Sequence, residues 1–178
     1  MVALAIMLTI LQDTGGAQDR GRLAVNTGYS FLSNTDVTDG YGLGWVAEGS
    51  WRLSSRFHVV LEVSRHTRSQ DVGFIDVSTS DESATAGVRY RWGMPHISPF
   101  AHALAGASRL DVQANTRHAV RSTGSDAATW GTLQIGGGIE TDLSRRIRLR
   151  IGADYRRVFT DTRRNQIRAT TGVTYQLW

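Results

Sequence analysis

Apolar and polar residues alternate with a period of two along most of the chain, beginning after Arg22. Successive side chains of a β-strand point to opposite faces, so this pattern predicts strands with one apolar and one polar face. The predicted strands cover residues 23–31, 43–53, 57–64, 83–92, 100–109, 133–140, 147–156 and 167–177. The fifth of these segments is rich in alanine, and its sequence leaves open which face is apolar. No segment after Leu11 has a helical period.

The connections between the predicted strands alternate between short and long. Short turns are predicted at residues 54–56, 93–98 and 143–145. Longer polar stretches, interpreted as loops, occupy residues 33–41, 67–81, 111–128 and 157–165. In an up-and-down antiparallel sheet, this order places every short turn at one end and every long loop at the other. Transmembrane barrels have this asymmetry, with short periplasmic turns and long external loops.

The polar faces combine small residues with charged residues near strand centres. The small residues are Gly28, Ser30, Gly44, Ser50, Ser64, Thr85, Gly87, Gly136, Gly138, Gly152 and Gly172. Small residues beside long charged ones suit a narrow, packed polar lumen, whereas a solvated outer face would gain β-propensity from larger residues. The pattern therefore predicts an all-β, eight-stranded antiparallel transmembrane barrel. The alternative is a soluble exported barrel, similar to a lipocalin, whose apolar face lines a ligand cavity.

Aromatic residues group at the two ends of the predicted strands. Those toward the long loops are Tyr29, Phe31, Tyr41, Trp45, Trp130, Tyr155 and Phe159. Those toward the short turns are Trp51, Phe57, Tyr90, Trp92, Phe100, Tyr175 and Trp178. Two aromatic levels with aliphatic residues between them are typical of the interfacial girdles of a membrane barrel.

The N-terminal segment differs from the rest of the chain. Residues 2–11 form an apolar run, too short for a membrane-spanning helix, which needs about 20 residues. The run resembles the apolar region of a secretory signal peptide, and Gly15 and Ala17 fit the positions before a cleavage site. We expect a signal peptide at 1–17, removed on export, and a barrel domain at 18–178. A buried N-terminal element is the alternative.

All 20 basic residues are arginine, and the net charge is +4. These arginines are spread along the chain among acidic residues, whereas a nucleic-acid binder concentrates its basic residues on one face. We therefore expect no nucleic-acid partner. The chain has no cysteine, which excludes disulfides and thiolate metal sites.

The charges on the polar faces form the main candidate site, a network inside the lumen. Its predicted members are Glu48, Arg52, Glu62, Arg89, Arg91, Glu140, Arg148, Arg150, Asp154, Arg156 and Arg168. Bidentate pairing between arginine and carboxylate satisfies both groups, and side chains can fill the interior of an eight-stranded barrel. We interpret the network as structural packing that plugs the lumen, with an ion path as the alternative.

Other candidate residues carry weaker patterns, and no catalytic, cofactor or metal site is predicted. His96 and Ser98 sit in a predicted short turn, and His58 and His102 could pack in the lumen. The remaining candidates are His66 and His118 and the acidic residues Asp36, Asp39, Asp71, Asp76, Asp81 and Glu82, interpreted as solvated loop acids. The Gly136–Gly138 run is not a phosphate loop, because neither a helix nor a lysine follows it.

Three stretches resemble the small eight-stranded outer-membrane barrels of Gram-negative bacteria, the OmpA-type barrel without a periplasmic domain. They are SPFAHALAGASRL, LQIGGGIETDLSRRIRLRIGADYRRV and NQIRATTGVTYQL. The last carries Tyr175 and Leu177 on its apolar face, with Trp178 one residue out of phase, and is similar to the C-terminal signal of these barrels.

The resemblance implies a non-enzymatic outer-membrane protein with a structural or adhesive role carried by its external loops. The partners it implies are outer-membrane lipid, lipopolysaccharide, the barrel-assembly machinery through the C-terminal strand, and an unidentified surface partner. It also implies a monomer without a cofactor. A small-solute pore and a lipid-modifying membrane enzyme are the alternatives.

Overall fold

The computed structural model describes residues 23–34, 41–72, 75–94, 97–116, 125–160 and 164–177. Its strands are β1 (Leu23–Asn34), β2 (Tyr41–Arg52), β3 (Phe57–Val72), β4 (Ile75–Arg91), β5 (Ile97–Thr116), β6 (Ser125–Asp142), β7 (Ile147–Val158) and β8 (Arg164–Gln176). Each predicted segment corresponds to one strand. The predicted signal peptide at 1–17 lies outside the described residues. Nowhere in the described part of the chain is there a helix that could cross a membrane.

The eight strands form one closed antiparallel barrel in which each strand pairs with its neighbours in sequence. The ring closes between β1 and β8, from Ala24 opposite Gln176 to Asn34 opposite Gln166. Closure leaves no strand with an unpaired edge, which confirms the predicted fold class.

Except on the alanine-rich β5, the more apolar face of each strand points outward and the more polar face lines the lumen. On β2, Leu43 is 67% exposed on the outer surface, whereas Glu48 is 2% exposed inside. The prediction of a polar lumen is therefore confirmed, and the lipocalin-like alternative is wrong because the apolar set does not line a cavity. On the alanine-rich β5, His102 and Leu104 point inward and Ala103 points outward, which settles the facing that the sequence left open.

The long polar stretches are shorter as loops than predicted, because strands extend into them. β3 and β4 continue to pair as far as Val72 opposite Ile75, through most of the predicted loop at 67–81. β5 and β6 likewise pair as far as Gln113 opposite Ser125. Above the apolar outer surface both faces of a strand can be polar, so the alternation ends although the backbone pairing continues.

The β2–β3 and β6–β7 turns share one geometry and one sequence pattern, Leu-Ser-X-Arg followed by an apolar residue. In the first, the backbone N–H of Leu53 donates to the Phe57 carbonyl at 2.9 Å. The Ser54 hydroxyl then accepts the N–H of Phe57 at 3.2 Å. Leu143, Ser144 and Ile147 repeat these bonds in the second turn. Both tight turns were predicted correctly.

Aromatic side chains lie on the outer surface at both levels, including Tyr29 and Trp45 at one level and Phe57 and Trp92 at the other. Two predictions in this group are wrong. Trp130, expected in the girdle near the long loops, is half-buried on the inward phase of β6. Phe100, expected in the girdle near the short turns, is only 4% exposed and points into the lumen. Its place on the inward face of β5 brings it under two lumen arginines instead.

Candidate functional site: the charged lumen

The inward faces of six strands bring all the predicted network residues into the barrel interior. They fall into three layers along the barrel axis. The hairpin-end layer contains Asp81 and Arg156, with Ser30, His66, Ser108 and Gln166. The middle layer contains Glu62, Asp154 and Arg168, with His102 and Gln134. The short-turn layer contains Glu48, Arg52, Arg89, Arg91, Glu140, Arg148 and Arg150, with His58 and Phe100.

In the middle layer, one arginine joins two carboxylates from different strands. Nε of Arg168 donates to Oδ2 of Asp154 at 2.9 Å, and its Nη2 donates to Oε2 of Glu62 at 2.9 Å. Nε2 of His102 lies 2.8 Å from Oδ1 of Asp154. Gln134 bridges both carboxylates from its side-chain amide at 3.4 Å. The Arg168 side chain is 1% exposed, so this layer is a closed, hydrogen-bonded plug.

In the hairpin-end layer, Arg156 is completely buried. Its Nη2 donates to Oδ1 of Asp81 at 2.6 Å and to the Ser108 hydroxyl at 2.5 Å. Asp81 was interpreted as a solvated loop acid, and that interpretation is wrong. It lies on β4, in phase with the inward residues Ser83 and Thr85, and this alternation is the signal that could have identified it.

In the short-turn layer, Glu48 lies between two arginines. Nη1 of Arg89 donates to its Oε1 at 2.6 Å and Nη2 to its Oε2 at 2.5 Å, a bidentate pair. Arg150 reaches the same carboxylate at 2.7 Å and also pairs with Glu140. Phe100 supports both guanidinium groups, at 4.6 Å and 5.1 Å from its ring centre. Stacking on an aromatic face is a favourable arrangement for arginine.

Nearer the short turns, the same layer becomes more open. Arg91 contacts Glu140 at 3.5 Å, and Arg148 pairs with Asp142 at 2.6 Å at the rim. Arg52 pairs with none of the described carboxylates and lines a cavity of about 80 Å³. The predicted network therefore includes closely paired members in all three layers and looser arginines around this cavity.

Glycine on the inward faces makes room for the large side chains. A Cβ atom on Gly136 would collide with the Asp154 carboxylate and lie 2.5 Å from the Ala153 carbonyl oxygen. A Cβ on Gly138 would lie 2.9 Å from the Phe100 ring. The glycine run at 136–138 is thus part of a strand whose packing excludes side chains.

Ser30 and His66 form a pair that sequence reasoning missed. The Ser30 hydroxyl and Nε2 of His66 lie 2.7 Å apart, and His66 faces Asp81 across the β3–β4 pairing. All three are buried, and Nδ1 of His66 has no hydrogen-bond partner among the described residues. The carboxylate therefore does not orient the imidazole, and a substrate has no access to the hydroxyl.

The other candidate residues are dispersed. His58 lines the lumen cavity, Ser98 is buried at the start of β5, and Glu82 pairs with Arg65 on the outer surface at 3.3 Å. Asp71 and Asp76 lie opposite each other in the β3–β4 pairing. His96, His118, Asp36 and Asp39 lie outside the described residues. Among the described side chains, no group of three could hold a metal ion.

A closed antiparallel barrel with an apolar outer surface and a packed charged lumen has the architecture of a transmembrane barrel. Residues 1–176 match the family described as outer membrane protein beta-barrel domain, and the chain belongs to that family. It is therefore a protein of the bacterial outer membrane.

Solved structures with the same fold come from several bacteria. Ail, the attachment invasion locus protein of Yersinia pestis, is 18% identical with a TM-score of 0.63, over 89% of this chain and 99% of Ail. Neisserial surface protein A is 12% identical with a TM-score of 0.65, over 87% of this chain and 96% of that protein. A major outer membrane protein of Thermus thermophilus is 11% identical with a TM-score of 0.60, over 86% and 99% of the two chains. No curated protein sequence matches this chain.

Proposed function

We propose that this barrel is a surface-contact protein, structural or adhesive, whose working surface is the end carrying the long hairpins. The observation that supports this role is the extension of β3 to β6 beyond the apolar outer surface. On β3 and β4 the outward apolar residues end at Val63 and Ala84, and the next outward pair is the ionic pair Arg65–Glu82. Backbone pairing nevertheless continues to Val72 opposite Ile75.

The extended strands offer a preformed platform rather than a set of loose loops. From Val63 to Val72, a strand rise of about 3.3 Å per residue carries the β3–β4 hairpin about 30 Å along its axis. β5 continues alongside, with Thr116 opposite Ile75. A partner that binds paired strands meets a surface already ordered, so it loses less conformational entropy on binding than one that must order a loop.

The proposed orientation places the hairpin end outside the cell and the short turns in the periplasm, as in other outer-membrane barrels. Trypsin added to intact cells with truncated lipopolysaccharide should then cleave after Arg117, Arg121, Arg163 or Arg164. Mass spectrometry of the released peptides identifies the sites. Cleavage confined to the short turns would invert the orientation.

Two structural relatives support a role in surface contact. Ail is an attachment and invasion protein by name and was crystallised with the heparin analogue sucrose octasulfate. The Neisserial relative is named as a surface protein. Since these relatives share the fold at low identity, we take from them only the first ligand to test, a heparin-type polyanion, alongside adhesion to host cells.

The experiment that tests the role shortens the hairpin while preserving the barrel. Thr67 and Ser80 are directly opposed, so replacing residues 68–79 with Asn-Gly creates a two-residue hairpin turn between them. We expect the shortened protein to retain heat-modifiable mobility on a gel but to lose adhesion of expressing cells to host cells or immobilised heparin. Arg145→Ala, in an exposed short turn, is the control and should keep adhesion. Equal adhesion by all three proteins would contradict the proposal.

We further propose that the protein is not an enzyme and works as a monomer among outer-membrane lipid and lipopolysaccharide, inserted by the barrel-assembly machinery through β8. The proposal that the protein is not an enzyme is supported by the burial of the Ser30–His66 pair. Mass spectrometry of lipid A from cells with and without the protein tests it, because a lipid-modifying enzyme would change the acyl pattern. Native mass spectrometry of the folded barrel tests the monomer.

A further inference from the structure

We infer that the cavity at the short-turn end of the lumen is a binding site for a phosphate-type oxyanion. The cavity has a volume of about 80 Å³ and lies at the end opposite the hairpins. Its charged wall consists of Arg52, Arg89, Arg91, Arg148, Arg150 and Glu140. The site is separate from the hairpin surface, so it does not depend on the proposed contact role or on orientation.

The charge balance around the cavity differs from that of the rest of the lumen. The five arginines of its wall face three carboxylates, Glu48, Glu140 and Asp142, an excess of two positive charges among the described residues. The middle and hairpin-end layers together hold two arginines against three carboxylates. An excess of arginine where water reaches the lumen favours the binding of an anion.

The cavity wall includes arginine donors that the described carboxylates do not take up. Arg52 pairs with none of the described carboxylates, and Arg91 makes only the 3.5 Å contact with Glu140. Thr174 adds a side-chain hydroxyl to the wall, which accepts a hydrogen bond from Asn26 and can still donate one. Guanidinium groups bind phosphate oxygens with two parallel hydrogen bonds, so these donors match a tetrahedral oxyanion.

Size and charge narrow the ligand class. The cavity is larger than the space that one water molecule needs, so it admits a small oxyanion. An excess of two charges favours a dianion over chloride. Inorganic phosphate and the phosphate monoester headgroup of a lipid at the barrel rim share this chemistry.

The test uses the folded barrel in a detergent without phosphate. We expect sodium phosphate to raise its unfolding temperature more than sodium chloride does at equal ionic strength. Arg52→Gln removes a donor without breaking a described ion pair and should weaken phosphate binding about tenfold, as expected for a charge-assisted hydrogen bond. Arg65→Gln, on the outer surface at the other end, should bind phosphate like the unmodified protein. Arg91→Gln provides a second cavity variant if the first does not fold.

Phosphorus NMR distinguishes the two sources of the anion. In nanodiscs, broadening of added inorganic phosphate that Arg52→Gln abolishes supports the free ion. A shifted resonance of phosphatidic acid that resists added phosphate and disappears in Arg52→Gln supports the lipid headgroup. The proposal would be contradicted if phosphate and chloride raised the unfolding temperature equally. It would also be contradicted if Arg52→Gln and Arg65→Gln weakened phosphate binding equally.

Discussion

The middle layer of the lumen and its short-turn layer use the same side chain, arginine, differently. In the middle layer, Arg168 is shut off from water and each of its two carboxylate partners lies on another strand. In the short-turn layer, Arg91 and Arg148 stay partly exposed, and Arg52 lacks a described carboxylate partner. Arginine is therefore closely paired where the lumen is enclosed, whereas near the short turns it keeps donors for the proposed anion.

Solvation explains why both arrangements can exist in one barrel. A buried charge without a partner is strongly destabilising, so the closed layers need close pairing. Near the open end, water solvates a guanidinium group and an unpaired arginine is tolerated. The comparison therefore predicts a gradient: the same kind of substitution should matter less toward the short turns.

The largest effect is expected in the closed middle layer. Arg168→Ala leaves Glu62 and Asp154 buried without their guanidinium partner, a change that typically costs about 3–5 kcal/mol. We expect a strong loss of resistance to heat in detergent, measured as the temperature at which gel mobility changes to that of the unfolded chain. Replacing Arg168 together with Glu62 by Gln should recover part of the loss. If the Arg168→Ala barrel were as stable as the unmodified protein, the predicted difference in stability cost between the layers would be wrong.

A smaller effect is expected for Glu140→Ala at the open end. Arg150 keeps its contact with Glu48, and water reaches Arg91 and Arg148, so we expect a cost of about 1–3 kcal/mol. The matched control is Arg65→Ala, which breaks an ion pair on the outer surface and should change stability by less than about 1 kcal/mol. The same heating assay measures the loss of heat resistance in both variants. A Glu140→Ala loss as large as that of Arg168→Ala would contradict the gradient.

The smallest signal is expected from ion conduction. The closed layers fill the lumen with paired side chains, and eight strands enclose too little space for a wide channel once these are in place. Purified protein in planar bilayers should show no steady, large single-channel currents. Such currents would instead support the pore alternative, and Arg168→Ala would then be the variant to examine for increased conductance.

Much of the fold could be predicted because successive side chains along a strand face lipid and the lumen in turn. The sequence therefore alternates between apolar and polar residues wherever a strand crosses the membrane. Strand ends were less predictable, because above the apolar surface Thr67 and Ser80 are polar on a strand that continues. Phe100 was misplaced for a related reason. β5 has weakly apolar alanines outside and apolar residues such as Leu104 inside, so its two faces have little contrast.

Membership of the lumen network followed from the alternation, but the pairs within it did not. Glu48 and Arg150 meet across the barrel from β2 and β7, and the register that brings them together depends on how the strands are staggered. Nothing in either strand alone specifies that stagger. For the same reason, no pattern in the sequence indicates that Arg52 faces a cavity whereas Arg156 is buried.

The seam between β1 and β8 imposes an order on assembly. Seven of the eight strand pairings join neighbours in sequence, and the eighth joins Leu23 and Ala24 to the end of β8, almost the whole described chain away. Local hairpins can therefore form early, whereas the seam has to close a loop as long as the domain. Until it does, two strands present unpaired N–H and C=O groups to lipid, each costing several kcal/mol. Insertion should accordingly be cooperative, with partly zipped barrels too unstable to accumulate in the bilayer.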